Sequence, residues 1–314
     1  MNRFAKLLSG ILSVLTIGLA NAQQDAQFSQ YMFNNLYTNP GFAGLEGCPK
    51  FTAIHRTQWV NYDGGGAPQG QVLTASLPVR ILMGGLGFQL SNDQTGPFRN
   101  VDLLLSYSYH IAIGSGKLGL GIRSGIFNRS LNTKYIYTDA KDPRIEDIDN
   151  KSLNQLSPDF ALGAFYYHPK FYVGVSLNHV IKEQLQTVNA ELSRHMTVTG
   201  GYNFQAASNI VLTPSFITKY DATGEKWSTD GSLMATFNNK YWGGLSFRQS
   251  DALIPFVGIS FLKNNAMKVG FAYDYTLINQ TGKATSSYEI MLSYSLPPFV
   301  PPVKPVIRTP RYRF

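Results

Sequence analysis

Cysteine is nearly absent from this sequence: among 314 residues only Cys48 carries a thiol. No internal disulfide is therefore possible, and Cys48 reads as a small structural side chain. Charge is sparse too. Asp, Glu, Lys and Arg make up 15% of the chain, against about 25% in ordinary soluble domains. Beyond residue 22 no apolar run approaches the roughly 18 residues that a membrane helix requires, so a helical span is excluded. The five histidines, His55, His110, His168, His179 and His195, lack metal-ligand spacing. "GLGIRSG" at 119–125 carries glycines inside a strand pattern with no helix after it. It fails as a phosphate loop and reads as lumen-facing glycine that permits close packing. These absences point to a non-enzymatic protein with no metal and no cofactor.

What is present begins with an export signal over residues 1–22. Arg3 and Lys6 precede an apolar core from Leu7 to Leu19, and Ala20-Asn21-Ala22 has the small-x-small cleavage pattern. Aromatics reach 13% and glycines number 29. Such content without a spanning helix suggests a transmembrane β-barrel, the other structure that satisfies every backbone polar group in lipid. A soluble β-sandwich is the competing reading. Period-two alternation supplies the strands: Phe171, Val173, Val175 and Leu177 alternate with Tyr172, Gly174, Ser176 and Asn178. Likewise Phe271, Tyr273 and Tyr275 alternate with Gly270, Ala272 and Asp274, and Ile290, Leu292 and Tyr294 with Glu289, Met291 and Ser293. In a barrel the apolar face meets lipid and the small polar face the lumen.

Fourteen such segments are predicted, at 51–60, 71–77, 83–90, 101–111, 117–127, 159–167, 170–178, 195–204, 209–217, 228–237, 240–248, 252–261, 266–275 and 286–296. The even number suits a single-chain bacterial barrel. The gaps alternate in length. "NYDGGGAPQG", "SNDQTGPFRN" and the 128–158 segment are expected as long extracellular loops, and "PVRIL", "AIGSGK" and "HPK" as periplasmic turns. Aromatics beside the short turns, among them Tyr109, Tyr167, Tyr172, Phe237, Tyr241 and Trp242, read as one interfacial girdle. Trp59, Phe127, Trp227 and Tyr275 belong to the other. Both termini are then expected in the periplasm. The fold class is all-β, an outer-membrane antiparallel barrel of about 14 strands with an N-terminal periplasmic or lumen segment. Its parts are a leader (1–22), a plug or cap (23–50), the barrel (51–296) and a Pro-rich basic tail (297–314).

Fourteen strands at about 4.8 Å spacing and about 40° tilt enclose a ring roughly 28 Å across, too wide for side chains alone to fill. Residues 23–50 are the expected filling. Phe28, Tyr31, Met32 and Leu36 stand at i, i+3, i+4 and i+8, which predicts a helical face, and Asn39-Pro40-Gly41 would stop that helix.

The same stretch, "QDAQFSQYMFNNLYTNPGFAG" from Gln24 to Gly44, resembles the PorP/SprF proteins of the type IX secretion system of Bacteroidota. "RTQWVNYDGGGAPQ" from Arg56 to Gln69 extends the likeness as the family's first strand and loop. Gln27, Phe28, Ser29, Gln30, Tyr31, Met32, Phe33, Asn34, Asn39, Pro40, Ala43 and Gly44 carry the motif. Gly41 stands where a small residue, often alanine, is expected. The resemblance implies an outer-membrane component that supports secretion or display of large cargo proteins, often gliding adhesins. The runner-up is a passive or ligand-selective channel with an N-terminal plug.

The far end, "PPFVPPVKPVIRTPRYRF", holds six of the 16 prolines together with Lys304, Arg308, Arg311 and Arg313. It favours an extended polyproline form that partners recognise at low ordering cost. Expected partners are periplasmic ring or peptidoglycan-associated lipoproteins, secreted cargo or adhesin, and outer-membrane lipid. Of 27 lysines and arginines, Arg3 and Lys6 fall in the leader; the remaining 25 against 19 acidic residues leave a net of about +6. That excess suits acidic lipopolysaccharide or acidic partners rather than nucleic acid. The acidic run 138–150, with Asp139, Asp142, Glu146, Asp147 and Asp149, lacks EF-hand spacing and reads as a solvated loop.

Overall fold

The computed structural model describes residues 26–60, 66–131, 154–181, 184–185, 190–191, 193–222, 224–277 and 286–298. The leader, the acidic run 138–150 and the tail beyond residue 298, with Lys304, Arg308, Arg311 and Arg313, lie outside them. The wall strands are β1 (Lys50–Thr57), β2 (Gln69–Val79), β3 (Gly84–Thr95), β4 (Phe98–Ile113), β5 (Gly116–Leu131), β6 (Asn154–Tyr167) and β7 (Phe171–Asn178). They continue as β8 (His195–Tyr202, prolonged by Phe204–Ala207), β9 (Ile210–Asp221), β10 (Lys226–Phe237), β11 (Tyr241–Arg248), β12 (Ala252–Phe261), β13 (Met267–Thr276) and β14 (Ser286–Ser295). Gln184–Leu185 and Ala190–Glu191 make a small separate ribbon. Every neighbouring pair in the wall is antiparallel. The ring closes where β1 meets β14, from Lys50 opposite Ser295 to Thr57 opposite Tyr288. Across the wall β7, β8 and β9 are continuous through His195, opposite Asn178 on one side and Asp221 on the other. No sheet edge is left unpaired in this ring, which removes the hazard of open strands.

All fourteen strands fall where the alternation put them, and the alternation has the predicted sense. Val173 and Val175 are exposed while Ser176, between Val175 and Leu177, is 2% exposed. Ile290 and Leu292 face outward, and Glu289 and Met291 are fully covered. The outside is thus a sleeve of Leu, Ile, Val and aromatic side chains, and the inside is lined by Ser, Thr, Gly and a few charges. No described helix is long and apolar enough to cross a membrane.

Three expectations need correction. First, "SNDQTGPFRN" is not a loop, because β3 and β4 run on to a two-residue turn with Thr95 opposite Phe98. Its polar side chains bond across the strands instead: Asn92 donates to Gln71, and Arg99 to Asn92. The turns between β9 and β10 and between β11 and β12 are short as well, so the long loops gather at only some positions of that rim. Second, β1 stops at Thr57 instead of 60, since Trp59 adopts φ 50° and leaves the extended conformation. Third, four of the girdle aromatics turn inward. Trp242 and Phe127 are buried, and Tyr167 and Tyr172 pack against the cluster around Phe42 and Phe165. Strand parity explains it: Tyr241 takes the lipid side, which sends its neighbour Trp242 into the lumen.

Candidate functional site

The lumen is occupied by the N-terminal segment, and the predicted single helix is absent. In its place stand three single turns, Tyr31–Phe33, Asn35–Thr38 and Pro40–Phe42. Phe28, Tyr31 and Leu36 are buried as the helical face required, but so are Phe33, Asn34, Asn39, Pro40 and Phe42. A segment enclosed by wall has no solvent side, so an amphipathic helix has nothing to distinguish its faces. The wall also supplies the backbone partners that a helix would otherwise provide for itself. Arg123 donates to the carbonyls of Leu36 and Tyr37, Ser176 and Asn178 to that of Thr38, Ser108 to that of Gly41, and Arg56 to that of Gln27. The ring nitrogen Nε2 of His110 lies 2.8 Å from the Ala43 carbonyl. In return the backbone N–H of Gly44 donates to Ser76.

The segment spans the lumen along its length. Ala26 and Phe28 lie beside Gly70 at the long-loop end of β2, whereas Gly44 lies against Leu77, Pro78 and Gly85 near the short-turn rim. The described N-terminal end is therefore at the long-loop rim. Only the C-terminal end sits at the other rim, where Leu296 donates to Pro49. The placement expected for both chain ends does not hold at Ala26. The physical reason is connectivity: β1 is entered from the short-turn rim, so a segment laid out along the lumen before it must start at the opposite mouth.

Near that mouth an ionic knot holds the segment. Arg56 meets Asp274 at 2.6 Å, and Arg248 meets Asp230 at 3.0 Å and Asp274 at 3.2 Å. Ser29 sits among them. Its hydroxyl donates to Asp274 at 2.9 Å while Arg56 and Arg248 both donate to it. Glu289 completes the clasp by accepting the backbone N–H of Ser29 at 2.6 Å and that of Gln30 at 2.9 Å. Two guanidiniums thus face three carboxylates in a buried cluster, with several hydrogen bonds to Asp274 and Glu289 and one from Arg248 to Asp230, which is the condition for burying charge. Around the knot Gln27 donates to Ser228, Tyr31 shares hydrogen bonds with Ser215 and Ser232, and Asn34 accepts from Thr74. Below it Phe33 packs on Trp242 with ring centroids 4.4 Å apart, and half-buried Met32 joins the same apolar cluster.

Towards the short-turn rim the segment lies on a track of glycines. A Cβ added at Gly119 would stand 2.1 Å from the carbonyl oxygen of Gly41, one at Gly121 2.3 Å from its nitrogen, and one at Gly85 2.3 Å from the carbonyl oxygen of Ala43. The lumen-facing role expected of the 119–125 glycines is thus met at Gly119 and Gly121. Gly41 is less tight but still close, with a Cβ there 2.8 Å from the carbonyl oxygen of Gly119; glycine, rather than the expected alanine, fits the site. Asn39 spans the track. Its amide donates to the carbonyls of Ala164 and Val175, both at 3.0 Å, and accepts the N–H of Gly41 at 2.8 Å. Pro40 starts the last turn, and Phe42 packs edge-on against Phe165 at 5.0 Å.

Every described motif residue therefore contacts the wall or packs in the lumen. The wall residues Arg56, Arg123, Asp230, Arg248, Asp274 and Glu289 were not singled out from the sequence as a site. A signal existed for two of them: Asp274 stands between Tyr273 and Tyr275, and Glu289 between Tyr288 and Ile290, each a charge at an inward position flanked by outward aromatic or apolar residues. The histidines hold no metal-like cluster, since no described group of His, Cys, Asp and Glu has that geometry. His179 pairs with Asp159, its Nδ1 2.9 Å from the carboxylate.

This threaded barrel was compared with known proteins. The family profile described as type IX secretion system membrane protein PorP/SprF matches residues 20–294. The chain belongs to the PorP/SprF family. No curated protein matches it in sequence. Among solved structures, the toluene transporter TbuX of Ralstonia pickettii is 12% identical, with TM-score 0.49, over 83% of this chain and 92% of its own. Omp33 of Acinetobacter baumannii is 9% identical, with TM-score 0.46, over 79% and 98%. The toluene transporter TodX of P. putida is 10% identical, with TM-score 0.45, over 79% and 89%. The PorP/SprF chain is thus a type IX secretion membrane protein with an outer-membrane-type barrel, whose lumen its own N-terminal segment occupies.

Proposed function

We propose that this PorP/SprF barrel is a non-catalytic scaffold of type IX secretion that supports the release or surface display of cargo such as gliding adhesins. The observation that carries the reading is the filled lumen of a secretion-family barrel. A segment tied to the wall by buried charges and close-fitting glycines leaves no open conduit for a folded protein, so cargo is served by contacts at the rims. In this reading the leader exports the chain, the short-turn rim faces the periplasm, and the basic tail with Lys304, Arg308, Arg311 and Arg313 meets ring or peptidoglycan-associated lipoproteins.

Purification from the native outer membrane in mild detergent, with mass spectrometry of what co-elutes, tests it. Periplasmic lipoproteins or a large adhesin at constant stoichiometry are expected; the barrel alone with lipid would sink the scaffold. The channel reading is tested in a planar bilayer. The intact barrel is expected to carry no steady current, and a barrel lacking residues 27–44 is expected to conduct. A large current from the intact protein would favour the channel.

A further inference from the structure

The sleeve of apolar side chains ends unevenly at the long-loop rim. On β10, β11 and β13 it runs almost to the strand ends, where Trp227, Phe247 and Tyr275 stand exposed. On β2, β3 and β4 it stops earlier. Beyond Leu73, Leu90 and Leu103, the last large apolar side chains exposed there, the outward face carries Gln71, Asn92 and Arg99. Gln71 and Asn92 come two residues after the sleeve ends on their strands, which is about 7 Å along a strand. In a bilayer of about 40–45 Å with roughly 30 Å of hydrocarbon, that is the depth of the headgroups.

These three side chains form one line of hydrogen bonds across the strands. Arg99 donates from Nε to the Asn92 carbonyl oxygen at 2.6 Å, and the Asn92 amide donates to the Gln71 carbonyl oxygen at 2.9 Å. Both amide oxygens are engaged in this way. What the line leaves over is donors: the two terminal nitrogens of Arg99, the second N–H of Asn92 and the amide nitrogen of Gln71. No carboxylate on these strands faces them. Asp93 and Asp102, the acidic residues of β3 and β4, stand at inward positions, where Asp93 accepts from Thr95 and Asp102 from Ser91. A positive charge flanked by amide N–H groups at headgroup depth suits an anion that lies in the membrane plane. Arginine takes phosphate through two parallel hydrogen bonds, and with Nε held by Asn92 the terminal pair is left for that purpose.

We propose that this outward face of β2 to β4 binds the phosphate of a lipid headgroup, with Arg99 as its anchor. It continues the lipid-facing sleeve upward and is separate from any contact with secretion partners, so it holds or fails independently of the scaffold reading. In the orientation proposed above, the lipid is the phosphorylated lipid A of the outer leaflet; only that identity rests on the orientation.

Native mass spectrometry of the intact detergent-solubilised barrel is the test, with lipid A, fully dephosphorylated lipid A, phosphatidylglycerol and inorganic phosphate as probes. Lipid A is expected to be retained saturably and its dephosphorylated form to be lost. Arg99→Gln should weaken retention about tenfold. Asn92→Leu, which keeps the charge and removes the group that aims it, should weaken retention as well. Arg80→Gln, at an exposed arginine of the opposite rim, should leave it unchanged, and heat-modifiable migration shows that each variant is folded. Phosphatidylglycerol retained in place of lipid A, and lost in Arg99→Gln, would uphold the phosphate site and sink the orientation. Equal retention of the dephosphorylated lipid, wild-type affinity in Arg99→Gln or Asn92→Leu, or displacement of lipid by an equal concentration of inorganic phosphate would overturn the proposal.

Discussion

At the scale of single residues, the buried charges around Ser29 are worth most. Asp274 faces Arg56 and Arg248 at once and also takes the Ser29 hydroxyl. Asp274→Ala would strand the buried Arg56 guanidinium and leave Arg248 to Asp230, at a cost of about 3–5 kcal/mol. Ser29→Ala keeps every charge paired and should cost only about 1 kcal/mol. The comparison is made by denaturant unfolding of the detergent-solubilised barrel, with the heat-induced gel shift as a second readout. Equal effects of the two substitutions would mean that the charges do not hold the plug. Asp274 and Arg56 were visible in the sequence only as polar positions on their strands. That they meet depends on ring closure, which brings residues 218 apart in the chain into contact.

At the scale of elements, the plug and the glycine track define each other. The wall from β3 to β7 is smooth because glycine stands at Gly85, Gly119, Gly121, Gly163 and Gly174; plug backbone fills the space beside Gly85, Gly119 and Gly121, the Asn39 side chain that beside Gly163, and the Phe165 ring that beside Gly174. Gly121→Val places carbon within van der Waals overlap of Pro40 and Gly41 while leaving every wall hydrogen bond in place. The expected outcome is a barrel that still shows heat-modifiable migration but whose plug is cleaved by chymotrypsin, at Phe28, Tyr31, Phe33 or Tyr37, at rates the native protein does not show. Wild-type protection in Gly121→Val would mean that the plug can shift without leaving. The helix predicted over Phe28–Leu36 failed for a related reason. Periodicity reports which residues are apolar, but only the surrounding wall decides whether backbone groups bond within the segment or outward to side chains.

At the scale of the whole molecule, the two rims differ in reach and chemistry. Ile81, in the turn between β2 and β3, stands 93% exposed at the short-turn rim, and Gln249 lies exposed in the turn between β11 and β12 at the other. With Cys48 replaced by serine, Gln249→Cys should react with an impermeant maleimide on intact cells, and Ile81→Cys only after the outer membrane is opened. The reverse pattern would invert the orientation and move the tail's partners to the cell surface. The same geometry puts Ala26 near the long-loop rim, at the far end of β2 from Gly44.

The strand count, the lipid-facing side of the strands at 170–178, 266–275 and 286–296, and the family were all set by local sequence, because alternation is a local property and the motif is contiguous. Tertiary structure alone decided the path of the plug from one mouth to the other, the inward turn of Trp242 and Phe127 onto lumen partners, and the meeting of Arg56, Arg248, Asp230, Asp274 and Glu289 about Ser29. The reason is physical: a closed ring makes neighbours of residues distant in sequence, and an enclosed segment takes its conformation from the wall that surrounds it.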